Sequence, residues 1–346
     1  MKSALKQLQL ETMPRLLVIG GGIGAWAFIR ALDESPVGNT FDEIHQVEAP
    51  ALAPSCSVSS TAVAALRGTR AGLSALGDEL VADWEVARSQ LARLEGVVAG
   101  HLTTACWSER DERRFSHLAT SMAPPLDLKS SPALLAREEA YIIAPSRALA
   151  SVRGACARVR TTQSLVTGVE ALSEGIEVRL LGDQRLRYDQ VVVCAGAWES
   201  WLATSAAPLT RAVRGSYAHW DNVDYGRESF AFTIDGTNLV YRAEELVFLL
   251  GASSEKEEGR LWPDAAAVEQ RWRSTQERLA VELPPWDQAR LHTGLRQVGP
   301  QRRPYIQSPA ERVLFAGGLY KNGWISAWGQ AQRLVARLSA GHASTG

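Results

Sequence analysis

The sequence predicts an α/β protein of two domains, one built on a central parallel sheet and the other on a mixed or antiparallel sheet. Three observations carry this reading. The run RLLVIG (Arg15–Gly20) is continuously apolar, as a strand covered on both faces must be, and it stops on glycine. A second run of the same kind, VVVCAGAW (Val191–Trp198), stands far downstream and again enters a glycine turn. Between Arg211 and Gly251 the strand-like runs AVRGSYAHW, FAFTI, NLVYR and LVFLLGAS follow one another with no helix between them, the pattern of antiparallel or mixed pairing. A chain of 346 residues is long enough for two cores.

Taken in order, Arg15–Gly20 is the first strand, Ile23–Leu32 a helix and EIHQVEAP (Glu43–Pro50) a second strand that closes in an acid, a βαβ opening. From Leu76 to Leu94 the apolar residues Leu80, Trp84, Val86, Leu91 and Leu94 recur at helical spacing on a polar background, which predicts an exposed amphipathic helix. AYIIAPSRALASV and strand-like segments around Val166 and Val178 lead to VVVCAGAW, which returns to the first sheet. After the antiparallel layer come a helix near Asp264–Val281, the segment LHTGLRQVGPQRRPYI, a short strand VLFAGG and a last helix through Leu338. The expected division is a discontinuous nucleotide-binding domain of residues 1–78, 138–206 and 288–346, with a substrate domain of residues 79–137 and 207–287.

Composition excludes several classes. The 37 basic side chains almost cancel 38 acidic ones, so a formal charge of -1 gives nucleic acid no electrostatic reason to bind. Residues 1–13 lack the apolar run of about 7–15 residues that a secretory signal uses, and no stretch of about 18 apolar residues follows, so the expectation is a cytoplasmic protein without a membrane span. Cys56, Cys106, Cys156 and Cys194 form no Cys-x-x-Cys pair and are expected as reduced thiols. His219 and His292 have no Glu or Cys partner at metal spacing, so they read as structural and no metal is expected. No Gly-x-Ser-x-Gly elbow or Ser-His-Asp ordering supports a hydrolase.

The chemistry-bearing motif is VIGGGIGAWAF, which places Gly20, Gly22 and Ala25 in a Gly-x-Gly-x-x-Gly/Ala pattern directly after a strand and opening a helix. Gly20 permits the tight turn and Gly22 lets a pyrophosphate approach the backbone. The helix start at Ile23, Gly24 and Ala25 offers free N–H groups to its charge. Glu48, 23 residues beyond Ala25, stands where ribose hydroxyls are bound. The pattern serves NAD and FAD alike, but an enzyme that binds both normally shows two such fingerprints, and this chain has one.

Five further stretches resemble the D-amino acid oxidase family of FAD enzymes, most closely its glycine oxidase and sarcosine oxidase branch, and imply the glutathione-reductase-like FAD fold. SSTAVAA (Ser59–Ala65) is similar to the family's Ser-rich loop, here Ser59, Ser60 and Thr61. LVTGVEALSEG is similar to the segment whose valine, here Val166, holds adenine through its backbone. VVVCAGAWES resembles the turn beneath the flavin, at Ala195 and Gly196. GLRQVGPQRRPYI (Gly294–Ile306) and LFAGGLYKNGWISA (Leu314–Ala327) match glycine oxidase without a gap. By that resemblance Arg296 holds a substrate carboxylate and Lys321 stands where glycine oxidase has a second carboxylate-binding arginine. Gly318, Leu319, Tyr320, Asn322, Gly323 and Trp324 wrap the isoalloxazine.

The resemblance implies an oxidoreductase that passes a hydride from the carbon next to the amine of a small amino acid or secondary amine to FAD, with the flavin reoxidised by dioxygen. The alternatives are a dehydrogenase serving a quinone or protein acceptor, and an FAD-binding protein without turnover. The FAD is expected to be non-covalent, because the branch that attaches it uses a cysteine near GLRQVGPQRRPYI, a segment without one here. The partner expected is a small amine or amino acid, and assembly into a homo-oligomer is left open. The chain departs from the family pattern at Ala25, at Gln301 and Arg302 after the arginine motif, and at Lys321, which keeps a charge but not the planar fork. It departs again at Asn238, near the place of a carboxylate-binding tyrosine, with Tyr241 on the other strand face. Trp324 and Trp328 either narrow the pocket or pack between helix and sheet.

Overall fold

A computed structural model describes residues 14–52, 55–120, 123–202, 210–254 and 261–343. The stretch 1–13, read above for a signal, lies outside the described residues. Strand β1 (Arg15–Ile19), helix α1 (Ile23–Asp33) and strand β2 (Glu43–Glu48) form the expected βαβ opening. Next come β3 (Val63–Ala64), α2 (Ala75–Leu91), β4 (Val97–Cys106), α3 (Glu109–Phe115), β5 (Ala119–Thr120), β6 (Leu134–Ile143), α4 (Pro145–Gly154) and β7 (Val159–Gln163). Strands β8 (Val166–Ala171), β9 (Ile176–Leu180) and β10 (Arg185–Tyr188) make a small antiparallel sheet before β11 (Gln190–Val193). The chain ends through β12 (Arg211–Trp220), β13 (Phe230–Ile234), β14 (Thr237–Arg242), β15 (Val247–Gly251), α5 (Ala265–Arg278), β16 (Arg290–Val298), β17 (Tyr305–Ala310), β18 (Val313–Gly317) and α6 (Gly323–Ala343).

The first sheet runs β17-β18-β11-β1-β2-β7 and is parallel except for the edge strand β17. The chain lays β2 and β7 on one side of β1 and later lays β11 and β18 on the other. Strand order therefore reverses at β1, and the carboxyl ends of β1, β2 and β11 open into a crevice there. Leu16 and Val18 face α1, α2 and α6, whereas Leu17 and Ile19 face the small sheet of β8–β10, which explains why β1 reads as uninterrupted apolar sequence.

The second sheet has nine strands in the order β16-β12-β15-β14-β13-β4-β6-β3, with β5 paired to β6. It is mixed, because β13 and β4 run parallel while their neighbours are antiparallel. Trp220, Phe232, Tyr241 and Phe248 fill the core beneath α5. Strand pairing crosses the residue ranges expected for the two domains: β3, β6 and β16 join the nine-stranded sheet, and α2 packs in the core of the first.

Helix α2 is amphipathic but not exposed along its length. Leu80, Trp84, Ala87 and Leu91 are buried in a core shared with α1 and α6, and Asp83 within that face is 1% exposed and paired to Arg333 of α6 at 2.7 Å. Ser74 caps the helix by accepting from the Gly77 N–H.

Candidate functional site

The turn after β1 is shaped by what a side chain would strike. Gly20 has φ +130, and a Cβ there would overlap the carbonyl of Cys194, so the turns after β1 and β11 touch at the crevice. A Cβ at Gly21 would overlap the Glu48 carboxylate. Helix α1 then starts at Ile23 without a side-chain cap on Gly22. Ser57 Oγ takes the Ile23 N–H at 2.9 Å, and among the described residues no backbone acceptor reaches the N–H of Gly24 or Ala25. The helix thus presents unpaired donors and the positive end of its dipole at the crevice.

Glu48 closes β2, with its side chain 4% exposed. Its Oε2 accepts from Arg153 Nη2 at 2.7 Å and from Gln46 Nε2 at 3.4 Å, while Oε1 has no protein partner among the described residues. Arg153 Nη2 also donates to Gly21 O, and its guanidinium lies 5.1 Å from the centre of the Trp26 ring. The Ser164 N–H bonds Glu48 O at 2.8 Å, which draws the loop before Val166 to the end of β2.

From this turn a cavity of about 950 Å³ extends between the two sheets. Its walls take in Gly20, Gly22, Ile23, Gly24 and Glu48, then Ser60, Thr61 and Val166. Ala195 and Gly196 follow, and then Leu319, Tyr320, Lys321, Asn322, Gly323 and Trp324 with Arg296 opposite. Three residues expected from the sequence to contact the cofactor are outside the walls. Ala25 is fully buried in the core, Ser59 packs its carbonyl on Gly294, and Gly318, with φ +76, turns the chain against Gly299 and Arg303. A volume of this size is at the upper end of the roughly 300–1,000 Å³ typical of small-molecule and cofactor sites.

Arg296 enters from β16. In the pairing of β12 with β16, Gly215 faces Gly294, and a Cβ at residue 215 would overlap the Arg296 guanidinium, which crosses that bare backbone and donates to Ser253 O at 3.2 Å. Lys321 is exposed to the cavity, with Nζ 5.5 Å from the centre of the Tyr320 ring. Desolvation, followed by repulsion from Arg296, Arg67, Arg271 and Arg302, lowers the pKa of its ammonium. Asn238 lines the cavity and its Oδ1 accepts from Arg67 Nη1 at 2.9 Å and from Thr233 Oγ1 at 3.0 Å. Tyr241 is buried on the other strand face and donates to Gly226 O. Gln301 and Arg302 hold positive φ of 53 and 61 in the turn after β16.

Trp324 both lines the cavity and packs in the core, with a buried Nε1–H that has no partner among the described residues. Trp328 packs in the α1–α6 core alone. His219 and His292 sit 5.3 Å apart in the second sheet beside Asp221 and Arg290, outside the cavity.

Several site residues were not read from the sequence. Cys56 lines the cavity with Sγ against Gly294, and burial pushes its thiol pKa up although Arg296 opposes the shift. Arg67, Arg153 and Ser57 belong here too. Behind β16 lies Glu199, fully buried, with the Tyr305 hydroxyl 2.6 and 2.7 Å from its two oxygens and Gln297 Nε2 donating at 3.1 Å. Desolvation raises its pKa to about 7 against those two hydrogen bonds. Gln297 Oε1 accepts from the Gly318 N–H and Gln297 O from the Tyr320 N–H, so β16 is tied to the turn before α6.

A family model described as DAO, FAD dependent oxidoreductase, matches residues 15–338. No curated protein matches the chain. Among solved structures, glycine oxidase from Geobacillus kaustophilus superposes with a TM-score of 0.73 at 17% identity, over 94% of this chain and 95% of that one. Iminodiacetate oxidase from Chelativorans sp. BNC1 gives 0.69 at 16% identity, over 94% and 95%. L-proline dehydrogenase from P. horikoshii gives 0.73 at 12% identity, over 95% and 94%. At these identities the likeness to the three structures concerns the fold.

Proposed function

The chain belongs to the DAO family of FAD-dependent oxidoreductases, and from that membership we propose that it oxidises a small amino acid or secondary amine. FAD supplies, when bound, a two-electron acceptor for the hydride leaving the carbon next to the amine; the imine hydrolyses, and dioxygen takes the electrons on to hydrogen peroxide.

The cavity walls fit the cofactor. The unpaired N–H of Gly24, at the helix start on the cavity wall, suits a pyrophosphate, and Glu48 Oε1 suits a ribose hydroxyl. Val166, Ala195, Gly196 and the Leu319–Trp324 turn supply the remaining contacts that the family resemblance implies, and the orphaned Nε1–H of Trp324 is a donor in want of an acceptor. Cys56 is the one cysteine among the described residues near Arg296. Its raised pKa keeps it as a thiol rather than the nucleophilic thiolate, which supports non-covalent binding.

The observation that carries the reading is that Arg296 reaches, across Gly215, into the same cavity as the glycine turn. Its fork would give a carboxylate two charge-assisted hydrogen bonds of roughly 1.5–3 kcal/mol each and thereby fix which substrate hydrogen faces the cofactor. Lys321 adds a second cation at the same end. Their shared positive field disfavours an ammonium, so the bound substrate is held as the neutral amine that can release a hydride.

The test is anaerobic mixing of the purified yellow protein with a panel of amino acids and secondary amines. Bleaching of the flavin supports the reading, and peroxide on admission of air identifies dioxygen as acceptor. Bleaching without peroxide moves the acceptor to a quinone or protein. A flavin that none of the panel bleaches overturns the proposal.

A further inference from the structure

We propose that the substrate is a dicarboxylic amino acid whose second carboxylate is bound by Arg67, opposite the α-carboxylate held by Arg296. The inference rests on the amine-oxidation reading above and deepens it. Arg67 follows β3 on the cavity wall, and its side chain donates to a neutral group, Asn238 Oδ1, at 2.9 Å. Its backbone is fixed from behind by Arg114, which donates to Arg67 O at 2.9 Å and adds charge of the same sign.

The acids nearby do not balance these cations. Glu138 lies close to Arg67, where its Oε2 accepts from the Gly68 N–H at 3.3 Å and its Oε1 is buried with no partner among the described residues, and it supplies at most one negative charge against both Arg67 and Arg114. Among the acids on the cavity wall, Asp235 pairs with Arg278 at 2.9 Å and Glu48 is bound to Arg153 at the other end, while Asp111 accepts from the Ser108 hydroxyl at 2.7 Å and brings a single negative charge. Arg67, Arg296, Arg302 and Lys321 thus share one end of the cavity without a matching set of anions. Guanidinium groups brought together in a desolvated space repel one another unless an anion sits between them. A monocarboxylic zwitterion brings one negative and one positive charge, whereas a dicarboxylic amino acid with a neutral amine brings two negative charges for two forks.

The test uses the FAD-loaded protein and two non-oxidisable probes of equal chain length, succinate and butyrate, measured by titration calorimetry. Succinate should bind at least about 10-fold more tightly, equal to about 1.4 kcal/mol. Arg67→Met should remove most of that preference, and Asn238→Asp, which sets a fixed carboxylate beside Arg67, should do the same without deleting the arginine. Equal binding of the two probes by the parent protein overturns the proposal, as does a preference that survives both substitutions. If succinate is preferred but no amino acid bleaches the flavin, the dianion site stands and amine oxidation fails. If 2-aminobutyrate is oxidised at least as well as aspartate and glutamate, amine oxidation stands and the dianion site fails.

Discussion

Gly215 gives Arg296 its route to the cavity by having no side chain, so two substitutions separate placement from chemistry. Arg296→Lys keeps the charge and loses the fork; it should lower kcat/KM for amino acids about 10–100-fold, or about 1.4–2.8 kcal/mol, with FAD content unchanged. Gly215→Ala should displace the guanidinium and lower kcat/KM similarly with Arg296 still present. Steady-state kinetics on an amine without a carboxylate provide the control, since equal losses there would remove Arg296 as the anchor. At the other end, Glu48→Ala should weaken FAD retention, read as flavin fluorescence released on dilution; unchanged retention would leave Glu48 a strand-end carboxylate. That the glycine turn, Glu48, Arg296 and Lys321 would line one cavity was legible because each sits in a contiguous motif. Arg153 and Arg67 were not, because their partners Glu48 and Asn238 lie 105 and 171 residues away.

The pair α2 and α6 shows what periodicity can and cannot reveal. The apolar stripe of α2 was plain in the sequence, but its polar background made the helix look exposed, and Asp83 is in fact buried within that stripe. The missing information was Arg333, on a helix at the far end of the chain, and Gly329, where a Cβ would overlap the Asp83 carboxylate. Gly329→Ala should therefore lower the thermal midpoint by forcing α2 and α6 apart, at a cost of about 1–3 kcal/mol. Burial already raises the Asp83 pKa against the pull of Arg333, so Arg333→Met should push it further up. A raised carboxyl pKa gives stability that is present at low pH and lost as pH rises through the folded value, so this variant should lose more stability than the parent at alkaline pH. Chemical denaturation at pH 5 and pH 8 reads this out, and parallel losses would show that Asp83 is not coupled to Arg333. Helices α3 and α4, of 7 and 10 residues, escaped notice because so few turns leave little period to detect.

Across the whole molecule, Glu199 joins β16 of the large sheet to β17 of the parallel one through Gln297 and Tyr305. Its pKa of about 7 against an ordinary 4.5 means the folded protein binds a proton the unfolded chain has lost. The stability from this group is full below about pH 4.5 and lost as pH rises through 7, a change on the order of 3 kcal/mol. His45, His219 and His292, lowered chiefly by burial, act in the opposite sense. The difference between the parent and Glu199→Gln isolates the term: the variant should gain stability relative to the parent between pH 5 and pH 8, and a constant difference would sink the assignment. Both sheets were foreseeable from the runs that build them. Which strand joins which sheet was not, because β6 and β16 border segments of both layers and only backbone pairing distinguishes them.

Strand β16 also constrains how this chain can change in length. Neighbouring side chains on a strand leave opposite faces, so Arg296 goes over Gly215 while Gln297 goes to Glu199 and the Gly318 N–H. One codon gained or lost between Arg290 and Arg296 would exchange the two, setting an amide where the Arg296 guanidinium stood and a guanidinium in a fully buried hydrogen-bond network. Insertions between β12 and β13, at residues 221–229, shift no such alternation. A library of single-codon insertions, sorted for retained flavin colour, should fill that loop and leave β16 empty.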